Sequence, residues 1–390
     1  MATKTPERKL RITRLRLRNW RNFRNVDVKL EQRSFFVGPN ASGKSNLLDA
    51  IRFLRDLVST GGGLQEAIQR RGGMASVRCL AARQLPDVEI YVELGDDDIP
   101  AFWTYQLRFQ SDGTKNRLPI IVEEIAKLNE ADEVLRRPDK SDKTDTARLG
   151  QTALEQTSAN KDFREIAEFF ASVRYLHVVP QFIREPSRAL SREDSFGADL
   201  IARINGTPKK TREARLRRMN EALKIAIPQL DGLELVVDEI GTPHLRAKYQ
   251  HWRGHGAWQQ EDRFSDGTLR LLGFIWALQT GGGPLLLEEP EQSLNPFVVT
   301  QLAPMISRAT RRSRRQTFVT THSVELLSQD VSLDEINLLS PSENGTTVQP
   351  VNSIDQVREL VAGGISPGEA VLARTQPREA RSLPLLDLMS

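Results

Sequence analysis

The stretch with the clearest chemistry in this chain is Gly38-Pro39-Asn40-Ala41-Ser42-Gly43-Lys44-Ser45, followed by Asn46. It satisfies the pattern G-x-x-x-x-G-K-[ST]. In that pattern the glycines let backbone N–H groups turn toward phosphates, the lysine reaches the β- and γ-phosphate oxygens, and the serine hydroxyl ligates Mg²⁺. An ordinary glycine turn is the alternative. The pattern predicts a binding site for a nucleoside triphosphate.

The residues on either side of this loop supply the elements that must hold it. Ser34-Phe35-Phe36-Val37 is predicted to be a buried strand, and residues 46–54 have helical periodicity. The phosphates would then meet the N-terminus of a helix, where unpaired N–H groups and the helix dipole favour an anion.

The composition is typical of an intracellular globular protein. The chain has 390 residues, 39% of them hydrophobic, which suits one large domain or two interleaved domains. Cys79 is the single cysteine, so an intramolecular disulfide is excluded. There is no leading apolar segment, and no run approaches the ~18 apolar residues of a membrane span. We therefore expect a cytoplasmic protein without a membrane-spanning part.

Two strands are predicted before the loop. Alternation in residues 14–18 puts leucines on a core face and arginines outward, and residues 19–24 then turn toward a second strand at 26–30. This order, followed by GPNASGKSNLLDAI, resembles the amino-terminal head of SMC- and RecF-like ATPases, a lineage of ABC-type ATPases. The chain is similar to compact AAA family ATPases of the AAA_21 and overcoming-lysogenization-defect group. The outward arginines fit either a solvated strand face or a DNA-binding track.

The resemblance implies an α/β fold: a P-loop NTPase of ABC type with a mixed sheet, an antiparallel β subdomain and a helical lobe. The antiparallel half would contain the strands predicted at 76–81, 88–94, 102–109 and 118–125. Residues 129–161 are charged and low in aromatics, which predicts a flexible excursion or loose helices. They lack sustained heptads, and so depart from the SMC pattern, in which a long coiled coil leaves the head near this point.

A second group of motifs follows in the order of such heads. Ser265-Asp266-Gly267 begins a predicted helix and resembles the signature motif, which in the family holds the γ-phosphate of the opposite subunit. An apolar strand at 284–287 ends in Glu288 and Glu289, which resembles a Walker B motif. Glu288 would hold Mg²⁺, and Glu289 would align or deprotonate the attacking water. The usual first carboxylate is an aspartate, so Glu288 has an arm longer by one methylene.

Three further positions complete the set that the resemblance implies. Residues 293–296 resemble the D-loop at the dimer interface, and His322, after a predicted strand, resembles the H-loop histidine. Gln181 follows a strand predicted at 175–179 and resembles the Q-loop glutamine that ligates Mg²⁺. A plain surface glutamine is the alternative. The implied ligands are ATP and Mg²⁺, with Glu289 and His322 as catalytic residues and with Ser45, Glu288 and Gln181 around the metal.

Basic residues are clustered, although the net charge is only +4. Residues 184–228 include a predicted helix with Arg212, Arg215 and Arg218 on one face. The second cluster consists of Arg308, Arg311, Arg312, Arg314 and Arg315. Both clusters fit either a solvated helix face or a surface that binds a partner or DNA without sequence preference.

We expect no nuclease domain in the residues that follow His322. Overcoming-lysogenization-defect proteins carry a TOPRIM domain, which needs an Asp-x-Asp, and this part of the sequence has none. Strands at 336–339 and 346–351, a helix at 354–362 and a glycine-proline stretch at 363–368 are predicted. The apolar segment 383–389 would either pack on the core or dock on a partner.

We expect four regions. They are 10–128, the amino-terminal half of the ATPase head with the P-loop and the antiparallel subdomain; 129–260, a variable helical lobe with the basic helix; 261–340, the carboxy-terminal half of the head; and 341–390, a tail. The expected protein binds and hydrolyses ATP, engages a second copy of itself around ATP, and controls a separately encoded effector such as a nuclease in DNA repair or antiviral defence. The alternatives are a hydrolysis-dead ATP-binding platform, an ABC transporter motor and a P-loop kinase.

Overall fold

The computed structural model describes residues 8–82, 85–129, 131–185, 197–250 and 257–376. The apolar segment predicted at 383–389 lies outside these residues. The strands are β1 (Arg11–Trp20), β2 (Phe23–Lys29), β3 (Arg33–Val37), β4 (Val88–Gly95), β5 (Trp103–Ser111), β6 (Pro119–Leu128), β7 (Asp132–Arg137), β8 (Arg174–Leu176), β9 (Leu230–Val237), β10 (Pro243–Tyr249), β11 (Ala257–Gln260), β12 (Leu285–Glu288), β13 (Thr317–Thr321), β14 (Ile336–Ser340) and β15 (Thr347–Pro350).

The helices connect these strands and cover the sheets. They are α1 (Lys44–Val58), α2 (Leu64–Gln69), α3 (Met74–Val77), α4 (Lys140–Thr144), α5 (Arg164–Ala171), α6 (Pro180–Ile183), α7 (Leu200–Gly206), α8 (Lys209–Ala226), α9 (Asp266–Gln279), α10 (Pro296–Val299), α11 (Leu302–Ser313), α12 (Asp355–Ala362) and α13 (Pro367–Thr375). None of the helices in the described residues is long and apolar enough to cross a membrane.

The first sheet is antiparallel, with strand order β2-β1-β4-β5-β6-β7. As alternation predicts, Leu15 and Leu17 on β1 are fully buried. The buried face packs against α1, where the ring of Phe53 lies 5.3 Å from that of Trp20 and 5.5 Å from that of Phe109. This layer therefore fixes the helix that follows the phosphate-binding loop.

The second sheet is mixed, with strand order β15-β14-β3-β13-β12-β8. Its strands β14, β3, β13, β12 and β8 are parallel, whereas β15 is antiparallel to β14. Phe36 on β3 faces the core shared with the antiparallel sheet, and Phe35 and Val37 face the core under α9 and α11. The carboxyl ends of the parallel strands form one edge, where ligands bind in open α/β sheets. The α/β fold expected from the sequence is confirmed.

A third sheet, β11-β10-β9, lies with α7 and α8 in the predicted helical lobe. Helix α8 buries Leu216, Met219 and Leu223. These three residues form the buried face that helical periodicity predicts for this helix. Arg215 packs over the ring of Trp276 at 5.1 Å, and so part of the basic face is used inside the fold.

Two predictions about the first half of the chain are wrong. Residues 76–81 do not form a strand; they contain the end of α3 and a short 3₁₀ turn, with only an isolated bridge between Trp20 and Arg78. The backbone groups of this segment bond instead to the β1–β2 turn, where Arg21 N donates to Val77 O at 2.6 Å and Cys79 N to Asn19 O at 3.2 Å. The alternation of apolar residues predicted a strand, but it could not show that the backbone of this segment bonds to the β1–β2 turn instead of to a neighbouring strand.

The sequence predicted a flexible excursion or loose helices at 129–161; the described residues of this span contain strand β7 as well as the short helix α4 and a 3₁₀ turn at Thr146–Gly150. Strand β7 extends the antiparallel sheet by pairing with β6. Arg137 is buried and pairs with Asp142 at 2.8 Å and with Glu124 at 3.1 Å. The charges that suggested a loose segment are thus paired inside the fold, and the sequence pattern cannot show such pairing.

Helix α13 (Pro367–Thr375) was not predicted from the sequence.

Candidate nucleotide site

The P-loop joins the carboxyl end of β3 to the start of α1. Gly43 has a φ of 96°, and a Cβ there would collide with the amide of Asn22. A Cβ on Gly38 would lie 2.5 Å from the carbonyl oxygen of Leu339. Because neither position has space for a side chain, both glycines are required by packing as well as by the loop's conformation.

The turn between β1 and β2 supports the P-loop. Asn22 Nδ2 donates to the carbonyl oxygen of Ser42 at 2.9 Å, and Asn46 Nδ2 donates to Asn22 Oδ1 at 2.9 Å. The indole N–H of Trp20 donates to the carbonyl oxygen of Asn46, also at 2.9 Å. Asn46, predicted to contact the nucleotide, has its side chain on this turn. The turn residues noticed in the sequence therefore hold the loop in place.

Lys44 lies inside the loop and is 5% exposed. Its ammonium donates to the carbonyl oxygens of Gly38 at 3.0 Å and Pro39 at 3.1 Å. Burial lowers the pKa of Lys44 to about 8, although Glu289 and neighbouring carboxylates oppose that shift. The group is therefore still mainly protonated at neutral pH.

The remaining loop positions present small side chains or none. Asn40 and Ala41 are exposed at the tip, and Ala41 has a φ of 59°. The hydroxyl of Ser42 is buried and has no hydrogen-bond partner among the described residues. A buried orphan hydroxyl beside a glycine cradle and a buried ammonium fits a polyanionic ligand with several acceptor oxygens.

Glu288 ends β12 at this same edge of the sheet. Its Oε1 accepts a hydrogen bond from the hydroxyl of Ser45, and its Oε2 accepts one from the hydroxyl of Tyr175. His177 Nδ1 lies 3.7 Å from Oε1. Burial alone would raise the pKa of Glu288, but His177, Ser45 and Tyr175 bring it down to about 2. Glu288 is therefore a carboxylate at neutral pH, and it lies beside the P-loop serine as a metal site requires.

Ser45 and Glu288 bring one hydroxyl oxygen and one carboxylate oxygen together where a metal could bind. Within the described parts of the chain, no group of three or more His, Cys, Asp or Glu side chains could hold a metal ion by itself. Mg²⁺ is usually held by one or two carboxylates together with substrate phosphates and water. The donor set therefore fits Mg²⁺ that arrives with a nucleotide.

Glu289 has a strained backbone and a fixed side chain. Its φ is 43°, an uncommon value for a residue other than glycine. His322 Nε2 lies 3.1 Å from Glu289 Oε1, and the amide of Gln292 donates to Oε2. The hydrogen bond from His322 is the main reason that the pKa of Glu289 is lowered. The structure brings together two residues whose catalytic roles were predicted from separate motifs.

A third acid of this segment, Glu291, was not among the predicted site residues. Its Oε1 accepts from the hydroxyl of Thr321 at 2.6 Å and from the backbone N–H of His322 at 3.0 Å. Burial raises its pKa. Glu291 thus ties the loop after β12 to the end of β13, and it sets the position from which His322 reaches Glu289.

The predicted metal ligand Gln181 is not joined to this cluster. It is exposed in the short helix α6, and within the described residues it makes no hydrogen bond to Ser45 or Glu288. Glu288 is contacted instead by Tyr175 in β8 and approached by His177, the first residue after that strand. The sequence carried a signal for this pair, since alternate residues on a strand beside β12 share one side of the sheet.

The predicted signature residues lie at the N-terminus of α9. Ser265 is exposed and caps the N-terminus of α9, where its Oγ accepts from the N–H of Thr268 at 3.2 Å. A Cβ on Gly267 would lie 2.5 Å from the carbonyl oxygen of Ser293 in the predicted D-loop. Asp266 pairs with Arg184. No hydrogen bond or ion pair joins residues 265–267 to the P-loop within the described residues.

Two arginines missed by sequence reasoning connect the signature region with the segment after β8. Arg184 also donates to the carbonyl oxygen of Phe264 at 2.8 Å. Arg270, on α9, donates to the carbonyl oxygen of Val178 at 2.7 Å and lines a small recess with Glu288 and Glu289. These hydrogen bonds hold the start of α9 against the segment after β8.

These features define a class of protein. The features are a P-loop after the strand β3, two adjacent carboxylates at the end of β12, a histidine after β13 and an antiparallel sheet beside the mixed one. Together they are those of an ABC-type P-loop ATPase head. The chain belongs to the AAA_21 family, described as "AAA domain, putative AbiEii toxin, Type IV TA system", whose model matches residues 34–328. No curated protein matches the chain.

Solved structures with similar folds include SMC heads. An SMC head bound to the C-winged helix domain of ScpA has a TM-score of 0.58 and 17% identity, covering 87% of this chain and 97% of that chain. The Pyrococcus furiosus SMC head with an extended coiled coil, bound to the C-terminal domain of ScpA, has a TM-score of 0.53 and 15% identity, covering 90% and 100%. The Pyrococcus yayanosii SMC head with a coiled coil and joint has a TM-score of 0.53 and 14% identity, covering 91% and 100%. At these identities the likeness concerns the fold.

Proposed function

We propose that this protein binds ATP with Mg²⁺ at the P-loop and hydrolyses it with Glu289. The observation that carries the proposal is the convergence of two contacts at one sheet edge, Ser45 with Glu288 and Glu289 with His322. The first pair supplies metal ligands and the second an oriented base. An ordinary glycine turn, the alternative to a P-loop, would not require either of these contacts.

Each side chain would have a separate task. The ammonium of Lys44 and the loop N–H groups bind the phosphates, and Ser45 and Glu288 would hold the metal. When bound, Mg²⁺ neutralises charge on the β- and γ-phosphate oxygens. Glu289, kept ionised by its bond from His322, orients the attacking water and accepts its proton.

We further propose that the active site is completed by a second copy of the chain. Ser265 is exposed at a helix N-terminus, and no described contact brings it to its own P-loop. The neighbouring predicted D-loop is exposed too, and Phe297 directly after it is 75% exposed. Two copies that meet head to tail would place each Ser265 on the other copy's γ-phosphate, so that ATP joins the heads and hydrolysis releases them.

The output of this cycle would be control of a separate effector, such as a nuclease, in DNA repair or anti-phage defence. Two of the solved SMC heads were bound to a ScpA domain, which is an example of a partner on a similar fold. We propose that the regions 10–128 and 261–340 form the head, that 129–260 forms the variable lobe, and that 341–390 forms the tail.

Direct DNA binding is part of the proposal, but it rests on fewer arginines than the sequence suggested. Arg14 pairs with Asp27 at 2.6 Å, and Arg315 is buried against three backbone carbonyl groups. In the two basic clusters, the exposed residues that could contact DNA are Lys209, Lys210, Arg217, Arg218, Arg308, Arg311, Arg312 and Arg314. Binding of duplex DNA that ignores salt, or no binding at low salt with ATP, would remove DNA as a partner.

Two substitutions test the ATPase proposal in opposite directions. Glu289→Gln keeps shape and removes the base, and so this variant binds ATP, fails to hydrolyse it and accumulates as a nucleotide-bound assembly. Ser265→Arg leaves nucleotide binding intact but blocks assembly and hydrolysis. Size exclusion with light scattering, with and without ATP and Mg²⁺, and a nucleotide-binding assay measure both effects. Normal hydrolysis by Ser265→Arg would sink the composite site, whereas normal hydrolysis by Glu289→Gln would sink the assignment of the base.

A further inference from the structure

We propose that Tyr175 is a positioning residue, which fixes the carboxylate of Glu288 so that one of its oxygens stays beside Ser45 to serve the metal. This inference rests on the proposed function and extends it to a residue outside the predicted motifs. The two oxygens of the Glu288 carboxylate have different partners: Oε1 contacts Ser45, and Oε2 contacts Tyr175.

Strand pairing puts Tyr175 in this position. β8 runs parallel to β12, with Tyr175 opposite Leu286 and Leu176 opposite Leu287. The tyrosine side chain is 8% exposed, and its hydroxyl reaches forward to the end of the neighbouring strand. Because both strands belong to one sheet and Tyr175 pairs two residues before the end of β12, the backbone holds the two side chains on the same side of the sheet.

Glu288 needs such a partner because its arm is long. A glutamate has three side-chain torsions, and holding such a side chain in one rotamer costs conformational entropy. A bond to Oε2 fixes the plane of the carboxylate and leaves Oε1 toward Ser45. A phenol suits this role, since its hydroxyl donates one hydrogen bond and brings no charge to the metal site at neutral pH.

Tyr175 is itself held in place by the helix that carries the P-loop lysine. The guanidinium of Arg52, on α1, lies 4.0 Å from the centre of the Tyr175 ring, within cation–π range. The chain of contacts thus runs from α1 through Tyr175 to Glu288 and back to Ser45 at the start of α1. A closed loop of contacts of this kind orients a metal ligand from behind.

His177 is a weaker candidate for the same task. Its Nδ1 lies 3.7 Å from Glu288 Oε1, beyond the range of a normal hydrogen bond, and it faces the oxygen that Ser45 already contacts. Among the described residues, the hydrogen bond to Oε2 of Glu288 comes from Tyr175.

The chain offers a matched control. Tyr105 is fully buried and donates through its hydroxyl to Glu124 Oε1 at 2.9 Å, in the antiparallel sheet. Tyr105→Phe therefore removes the same kind of bond, between the same two residue types, away from the predicted metal ligands.

The test is a titration of the full-length protein with Mn²⁺, followed by electron paramagnetic resonance, in the presence of a non-hydrolysable ATP analogue. We expect Tyr175→Phe to weaken Mn²⁺ binding roughly 10- to 100-fold, the usual loss for a residue behind a metal ligand. Binding of the analogue in EDTA should not change, and Tyr105→Phe should bind Mn²⁺ like the wild type. A Tyr175→Phe curve that superimposes on the wild type, while Glu288→Gln shifts it, would overturn the inference alone. An unshifted curve for Glu288→Gln would instead overturn the metal site of the proposed function.

A second measurement does not depend on how the variant folds. The chain has four tyrosines, which can be replaced by 3-fluorotyrosine and observed by ¹⁹F NMR. Mg²⁺ added to the analogue-bound protein should move the Tyr175 resonance and leave that of Tyr105 in place. An unmoved Tyr175 resonance at saturating Mg²⁺ would contradict the proposal.

Discussion

Glu124 and Glu288 are both buried, and each accepts a hydrogen bond from a buried tyrosine, but their other partners differ in kind. Glu124 also accepts from the backbone N–H groups of Ala153 and Leu154 at 2.8 and 3.0 Å and from Arg137 at 3.1 Å. Glu288 accepts from the hydroxyl of Ser45 at the mouth of the P-loop. One carboxylate is enclosed by fixed protein donors, whereas the other faces a hydroxyl that can turn to a metal.

The comparison shows how a fold separates a structural acid from a functional one. Burial raises the pKa of Glu124, which lies within a strand of the antiparallel sheet and is compensated by Arg137. The pKa of Glu288 is brought down to about 2, and this residue ends a parallel strand, where ligands enter such sheets. Removing partners from the first site should therefore affect stability, and removing them from the second should affect binding.

The largest expected effect is on the structural site. Arg137→Leu removes the cation that pairs with both Glu124 and Asp142; it leaves the buried Glu124 without a cation and Asp142 with Arg148 alone, which should cost about 3–5 kcal/mol of folding free energy. Urea unfolding followed by circular dichroism measures the loss. The neighbouring Arg136, whose side chain is half exposed, gives the control Arg136→Leu, with little change expected. An Arg137→Leu protein as stable as the wild type would break the comparison on its structural side.

The next effect is on the functional site. Lys44→Ala removes a charged donor to the phosphates, so affinity for ATP should fall roughly 10- to 100-fold. Its folding stability should not fall in step, because the ammonium is buried without a close carboxylate partner. A fluorescent ATP analogue reports the affinity and a thermal melt reports the stability, with the exposed Lys29→Ala as the control. Unchanged affinity would mean that the P-loop assignment is wrong.

A smaller effect depends on pH. Hydrogen bonds from Arg137 hold the pKa of Asp142 well below its usual range. A carboxyl group whose folded pKa is below its unfolded value of about 3.9 contributes stability above that pH, and the contribution is lost as the pH falls through the folded pKa. Asp142→Asn should therefore cost roughly 1–2 kcal/mol at pH 7, and its difference from the wild type should shrink as the pH falls below about 4.

The measurement is a series of urea unfolding curves between pH 7 and pH 3. The exposed Asp97→Asn serves as the control, since its carboxylate is 94% exposed and should give no such dependence. A difference between Asp142→Asn and wild type that stays constant to pH 3 would contradict the ion-pair interpretation.

The sequence was sufficient where a short run of residues carries the chemistry. The P-loop, the acids after β12 and His322 are local patterns, and the structure places them at one edge of the mixed sheet. It was insufficient where a partner comes from far along the chain. Tyr175 meets Glu288 only because β8 pairs with β12, and Arg137 is buried only because Asp142 and Glu124 surround it. From composition alone, Arg137 could not be distinguished from the other charged residues of its segment.

The most direct test of the central claim, a composite site shared by two copies, is to mix two inactive variants. Lys44→Ala lacks a working P-loop and Ser265→Arg lacks a working signature, so neither can form a complete site with itself. In a mixed pair, the P-loop of the Ser265→Arg copy meets the intact Ser265 of the Lys44→Ala copy. ATP hydrolysis should therefore return on mixing, to about a quarter of the wild-type rate if copies pair at random and each site works alone. A mixture as inactive as its separate components, at protein concentrations where the wild type assembles with ATP, would contradict the account.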